Sequence, residues 1–190
     1  MGKGRLEAFS DGVIAIIITI MVLELKVPHG EHLDSIAPLW PVFVSYILSF
    51  TIVGIYWNNH HHMLHAVKHV TGAVLWSNLH LLFWLSLMPF ATGWMGENHF
   101  APLPVALYGV VLLMSAVAYW ILVRALIAGH GRDSEFASRI GTDWKGKIPL
   151  IVYTAAIGLA FVNVWISLAL YAGIAALWFI PDRRFESGQT

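Results

Sequence analysis

Cysteine is absent from all 190 residues, so neither a disulfide nor thiolate chemistry can be built here. Charge is nearly as scarce: 11 Lys and Arg and 11 Asp and Glu, 12% of the chain, cancel to zero. The basic residues lie scattered over short connections rather than along a stripe, which argues against a nucleic-acid partner. No H-E-x-x-H, internal repeat or low-complexity tract occurs, and neither an enzyme nor a cofactor is expected. Apolar residues fill the chain instead, at 58% with a mean hydropathy of +0.70. They run in uncharged stretches too long for a soluble domain, so the chain reads as an all-α, polytopic integral membrane protein.

These stretches cover roughly 6–27, 36–57, 70–90, 103–128 and 148–180. The first follows a basic lead of Lys3 and Arg5 but has no A-x-A-like cleavage site, and it is expected to stay as a span. The last would make a helix of about 50 Å against a hydrocarbon core of about 30 Å. Charge placement favours a hairpin, 148–162 and 165–180, turning near Val162, Asn163 and Val164. With the N-terminus cytoplasmic, six spans place Lys3, Arg5, Lys68, Arg124, Arg132, Arg139, Lys145, Lys147, Arg183 and Arg184 inside, and only Lys26 outside. Residues 1–190 then form one six-span domain with both termini cytoplasmic, carrying a mixed-charge loop at 129–147 with a short surface helix. Trp40, Trp57, Trp94 and Trp144 fall near span ends as interfacial anchors.

Polar residues within spans are costly and mark packing or ion contact. Arg5, Ser10 and Asp11 open the first span; Asn58, Asn59, His60, His61 and His62 end the second; Ser77, Asn78 and His80 begin the third. All sit at the cytoplasmic side, so they are expected to bond one another and fix the first span against the next two. Asp11 is open to two readings, a packing anchor or a direct contact with ions. Beyond it, Ile16, Thr19, Ile20 and Leu23 recur on one flank at helical spacing, which marks either a pore helix or ordinary packing and lipid contact. Glu24 would form a cation-concentrating outer vestibule or simply a solvated helix end.

His61, His65 and His69 stand at i, i+4 and i+8, with His62 beside them, spacing compatible with a metal. The alternative that follows is a secondary transporter or metal-handling membrane protein using the His60 to His69 cluster. No acidic residue completes a ligand set there, so a solvated or packed helix end with no metal is the expectation.

R-x-x-x-F-S-D-G, spelled by Arg5, Phe9, Ser10, Asp11 and Gly12, leads an Ile-rich span that closes with L-E-L-K-V-P. G-I-Y-W-N-N-H-H-H follows at 54–62 and N-L-H-L-L-F-W-L-S-L-M-P-F at 78–90. Over nearly its whole length the chain resembles bacterial members of the transmembrane protein 175 family of potassium channels. The resemblance implies six helices per chain, a homotetramer around a central pore in the plasma membrane, and a first helix lining that pore. It makes Ile16, Thr19 or Ile20, and Leu23 the pore-facing positions, with the R-x-x-x-F-S-D residues in the anchoring network. No T-V-G-Y-G filter is present, so selection by a carbonyl ladder is replaced by a hydrophobic constriction, and a modest preference for potassium over other monovalent cations is expected.

Overall fold

The computed structural model describes residues 2–67, 69–131, 134, 138 and 144–179, with backbone alone at 144 and 145. Lys68, Arg132, Arg139, Arg183 and Arg184, the side chain of Lys145 and most of the 129–147 loop with its expected surface helix lie outside the described residues. What is described is helical: α1 (Lys3–Leu23), α2 (Trp40–His65), α3 (Gly72–Ser86), α4 (Met88–Glu97), α5 (Pro102–His130), α6 (Trp144–Leu159) and α7 (Val164–Phe179), with two short 3-10 turns before α2. α3 and α4 run on as a single 26-residue apolar segment, Gly72–Glu97, which gives six apolar helical segments among the described residues. Four are long and apolar enough to cross a membrane, and α6 and α7 are shorter apolar helices.

Local chemistry sets the ends. Thr71 caps α3 by accepting the Val74 amide, and Asn163 accepts the Trp165 amide at the head of α7. Prolines occupy the first turns of α2, α4 and α5, where a missing N–H costs nothing. Pro89 cannot donate to the Leu85 carbonyl, and the third segment breaks at Leu87 as a result. α5 ends at Gly131, whose φ of +90° suits glycine. The final apolar stretch folds as a hairpin with its turn at residues 160–163.

Several boundaries differ from those read off hydropathy. α1 stops at Leu23 because Glu24, Lys26 and Pro28 follow. α2 starts at Trp40 and continues to His65, so His60, His61, His62 and His65 all belong to it. The third segment passes Phe90 and reaches Glu97.

α5 is the central helix, packed by α3, α4, α6 and α7, while α1 lies against α2, α3 and α4. The α5–α7 crossing depends on Gly109: a Cβ there would come within 2.1 Å of the Tyr171 hydroxyl, which donates to the Val105 carbonyl. At the α2–α4 crossing a Cβ on Gly96 would lie 2.8 Å from Val42 Cα. Lys3 donates to the His65 carbonyl and His69 stacks on His130, gathering the start of α1, the ends of α2 and α5 and the approach to α3 on one side. Opposite them, Phe100 is buried against Trp40 and Trp165, which places the start of α2, the α4–α5 turn and the start of α7 together. His99 and Phe100 take left-handed backbone angles to make that turn, a strain that the burial of the Phe100 ring offsets.

Candidate functional site: the two faces of the first helix

α1 has two unlike faces. Leu6, Ser10, Ile14, Ile17 and Met21, spaced three or four apart, are buried against α2, α3 and α4. Among the described residues the opposite flank is left open: Ile16 is 57% exposed, Ile20 40% and Leu23 80%, with Thr19 exposed beside them. Thr19 donates its hydroxyl hydrogen to the Ile16 carbonyl at 2.9 Å, so its oxygen lone pairs are turned outward. Such an oxygen can accept contact from a cation, while the flanking isoleucines and leucine offer it none. Arg5 and Phe9 lie on the exposed surface nearer the start of the helix.

Behind this flank, three helices meet in a buried hydrogen-bonded chain. Ser10 donates to the Leu6 carbonyl at 2.8 Å, so it must accept from Asn78 Nδ2, 2.9 Å away. The Asn78 carbonyl oxygen therefore faces His60 Nε2 at 2.7 Å, and that nitrogen carries the hydrogen. Ser10, His60 and Asn78 are each almost wholly buried. Removing one member leaves its partners unsatisfied, at about 1–3 kcal/mol apiece. Asp11, one residue on, points away from this chain and accepts the Trp57 indole N–H at 3.0 Å from the end of α2.

The histidine entering the core is thus His60, whereas His61, His62 and Asn58 are exposed. His61 stacks on Trp57 and His65. His80 bonds within its own helix: its Nε2 accepts the Trp84 indole N–H within α3 at 3.0 Å. Trp57 was missed as a participant, whereas His60 stood among the expected polar groups without being singled out, and helical spacing carries the signal that it is the inward one. Pro41, Ser45, Ser49, Ile52 and Val53 mark the inward stripe of α2, and extending it three or four residues at a time reaches His60 and then Met63 and Leu64. Trp57 offered only the look of an interfacial anchor, and its bond to Asp11 depends on how two helices cross.

The row His61, His65 and His69 does not lie on one helix, because α2 ends at His65 and His69 turns to stack on His130 of α5 at 4.5 Å between ring centres. Among the described residues no three His, Asp or Glu side chains converge as metal ligands.

At its outer end α1 gives way to Glu24 and Lys26. Lys26 is ion-paired with Glu97 at the end of α4, and that carboxylate, followed by Glu24, raises its ammonium above the usual lysine value. Glu24 lies over Gly93. Glu24, Lys26 and Glu97, together with Pro38, Phe43 and His99, line a cavity of about 440 Å³.

A bundle of apolar helices, four of them long enough to span a bilayer, with the first helix anchored on its polar side and open along an apolar flank among the described residues, defines a polytopic membrane protein. Comparison with known proteins agrees on the lineage. The family described as endosomal/lysosomal potassium channel TMEM175 matches residues 5–89. A protein named potassium channel from Chryseobacterium sp. (strain P1-3) is 55% identical over 186 residues, covering 98% of this chain and 97% of its own length. Another of that description from Streptomyces collinus is 32% identical over 93% of this chain and 91% of its own. The crystal structure of a lysosomal potassium-selective channel TMEM175 homolog from Chamaesiphon minutus superposes with a TM-score of 0.80 at 28% identity, over 95% of this chain and 97% of that one. The chain belongs to the TMEM175 family.

Proposed function

We infer that the chain is a potassium-preferring cation channel in which four copies surround a central pore and α1 of each lines it. The observation that carries this reading is the open flank of α1. A helix whose other face is pinned by buried hydrogen bonds leaves Ile16, Ile20 and Leu23 exposed among the described residues. Four-fold symmetry would turn that flank toward an axis, where rings of isoleucine and leucine form a constriction that blocks ions by dewetting and passes them when widened. The Thr19 hydroxyls, with their hydrogens already committed to the Ile16 carbonyl, would present four oxygens to a dehydrating cation. Potassium sheds water more readily than sodium, so the preference is for potassium but modest. Glu24 at the outer mouth would attract cations. Six spans, with both termini cytoplasmic in the plasma membrane, follow from the distribution of Lys and Arg. The relatives named potassium channels support the ion assigned here.

The test is reconstitution into potassium-loaded liposomes, with flux compared for potassium, sodium and caesium. Rapid flux in the presence of potassium, with slower sodium passage, is the expected result. Flux at the pace of a coupled carrier would remove the channel reading.

A further inference from the structure

We propose that Lys26 and Glu97 are positioning residues: their ion pair holds the outer end of the pore helix against α4 and so restrains the width of the constriction. This rests on the reading that α1 lines the pore.

Ties along α1 are unequal. Toward its start, Lys3 donates to the His65 carbonyl, Ser10 joins the buried chain through Asn78 to His60, and Asp11 accepts from Trp57. From Gly12 to Leu23, among the described residues, polar contact with a neighbouring helix shrinks to a 3.9 Å approach of the Thr92 hydroxyl to Met21 sulfur. The remaining restraint comes from Ile14, Ile17 and Met21, apolar side chains that can slide without leaving an unpaired polar group. The residues assigned to the constriction, Ile16, Ile20 and Leu23, all fall in this loosely tied half. Lys26 then meets Glu97 three residues past the helix end, in water, with Glu24 and His99 lining the same cavity. An exposed pair is weak and screened by salt. That weakness suits a restraint that must yield each time the pore dilates. α1 is therefore a lever fixed near Ser10 and Asp11, whose outer end swings when the pair opens, and Leu23 moves furthest.

A simple electrostatic role makes the opposite prediction for one variant. If the pair only set the charge at the mouth, Lys26→Gln would raise cation flux and Glu97→Gln would lower it. A positioning pair demands that both raise flux, by a factor of about two to five, and that the exchange Lys26→Glu with Glu97→Lys return it to the wild-type rate. The reading is independent of conduction if a nitroxide is attached at Val22→Cys, since the chain has no other cysteine and Val22 is exposed. The label should become more mobile in both single variants and recover in the exchange. Opposite flux changes, an exchange that fails to restore, or a freed label with unaltered flux would each overturn the proposal. A wild-type protein that passes no potassium would instead count against the channel reading, with the label still reporting on the pair.

Discussion

α1 and α5 are alike in apolarity, each long and apolar enough to cross a membrane, yet they occupy opposite situations. α5 is packed from four sides, with Tyr108, Leu112, Ala118, Leu122 and Leu126 fully buried. Among the described residues α1 is held from one side only. Apolarity therefore says that a helix lies in the membrane, but not whether its partner is a neighbouring helix, a lipid or a pore. Placement of polar atoms separates the two. In α5 the Tyr108 hydroxyl sits 3.0 Å from Ser49, itself 2.7 Å from Thr92, a chain that ties three helices inside the scaffold. In α1 the hydrogen bonds to other helices gather behind the first half, and on the open side of the second half Thr19 bonds only within its own helix.

The sharpest way to break this contrast is with a methyl group. Gly109→Ala forces a Cβ against the Tyr171 hydroxyl at the α5–α7 crossing, and it should cost about 1–3 kcal/mol or prevent folding. Gly12→Ala on α1, with nothing within 4 Å in the chain, should leave the thermal midpoint of the protein nearly unchanged. Equal damage from both would mean that the open flank of α1 is packed after all.

Next in size is the buried polar chain. Asn78→Ala leaves the His60 Nε2 hydrogen without its acceptor and Ser10 without its donor and should lower stability by about 1–3 kcal/mol, measured as a lowered midpoint in detergent. His61→Ala, one residue from His60 but on the exposed side, should have an effect within about 0.5 kcal/mol. Asp11→Ala should reduce the yield of assembled protein more than it alters ion preference, because it orphans the Trp57 N–H. Normal yield with altered preference would place Asp11 in contact with ions.

The smallest effect belongs to Lys26. Glu97 and Glu24 raise its folded pKa above 10.5. Its contribution is thus complete below that value and fades as pH climbs through the raised one. Denaturation midpoints of wild type and Lys26→Gln should differ slightly at pH 8 and converge well above pH 10.5. A difference that persists there would show that the stem of Lys26, rather than its charge, makes the contact.

These contrasts also bound what a sequence discloses. Helical segments were legible because uncharged runs in water have no alternative home, and the hairpin because Arg183 and Arg184 would otherwise face away from the other basic residues. Helix ends were less legible. The turn at His99 and Phe100 depends on Phe100 finding Trp40 and Trp165, two residues from remote segments. Within the site, Ser10, Asn78 and the open flank could be read from position. His60 rather than His61 required the inward stripe of α2 to be followed past Val53. Trp57 donating to Asp11, and Lys26 reaching Glu97, are products of how helices cross, which no local pattern encodes.

The central claim is that the exposed flank of α1 forms the barrier to ions, and potassium efflux from liposomes tests it most directly. Ile16→Asn, Ile20→Asn and Leu23→Asn should each wet the constriction and speed efflux, with a weakened preference over sodium. Ile17→Val, on the buried face, should leave both unchanged. If all three asparagine variants conduct and select as the wild type does, α1 does not line the pathway and the account fails.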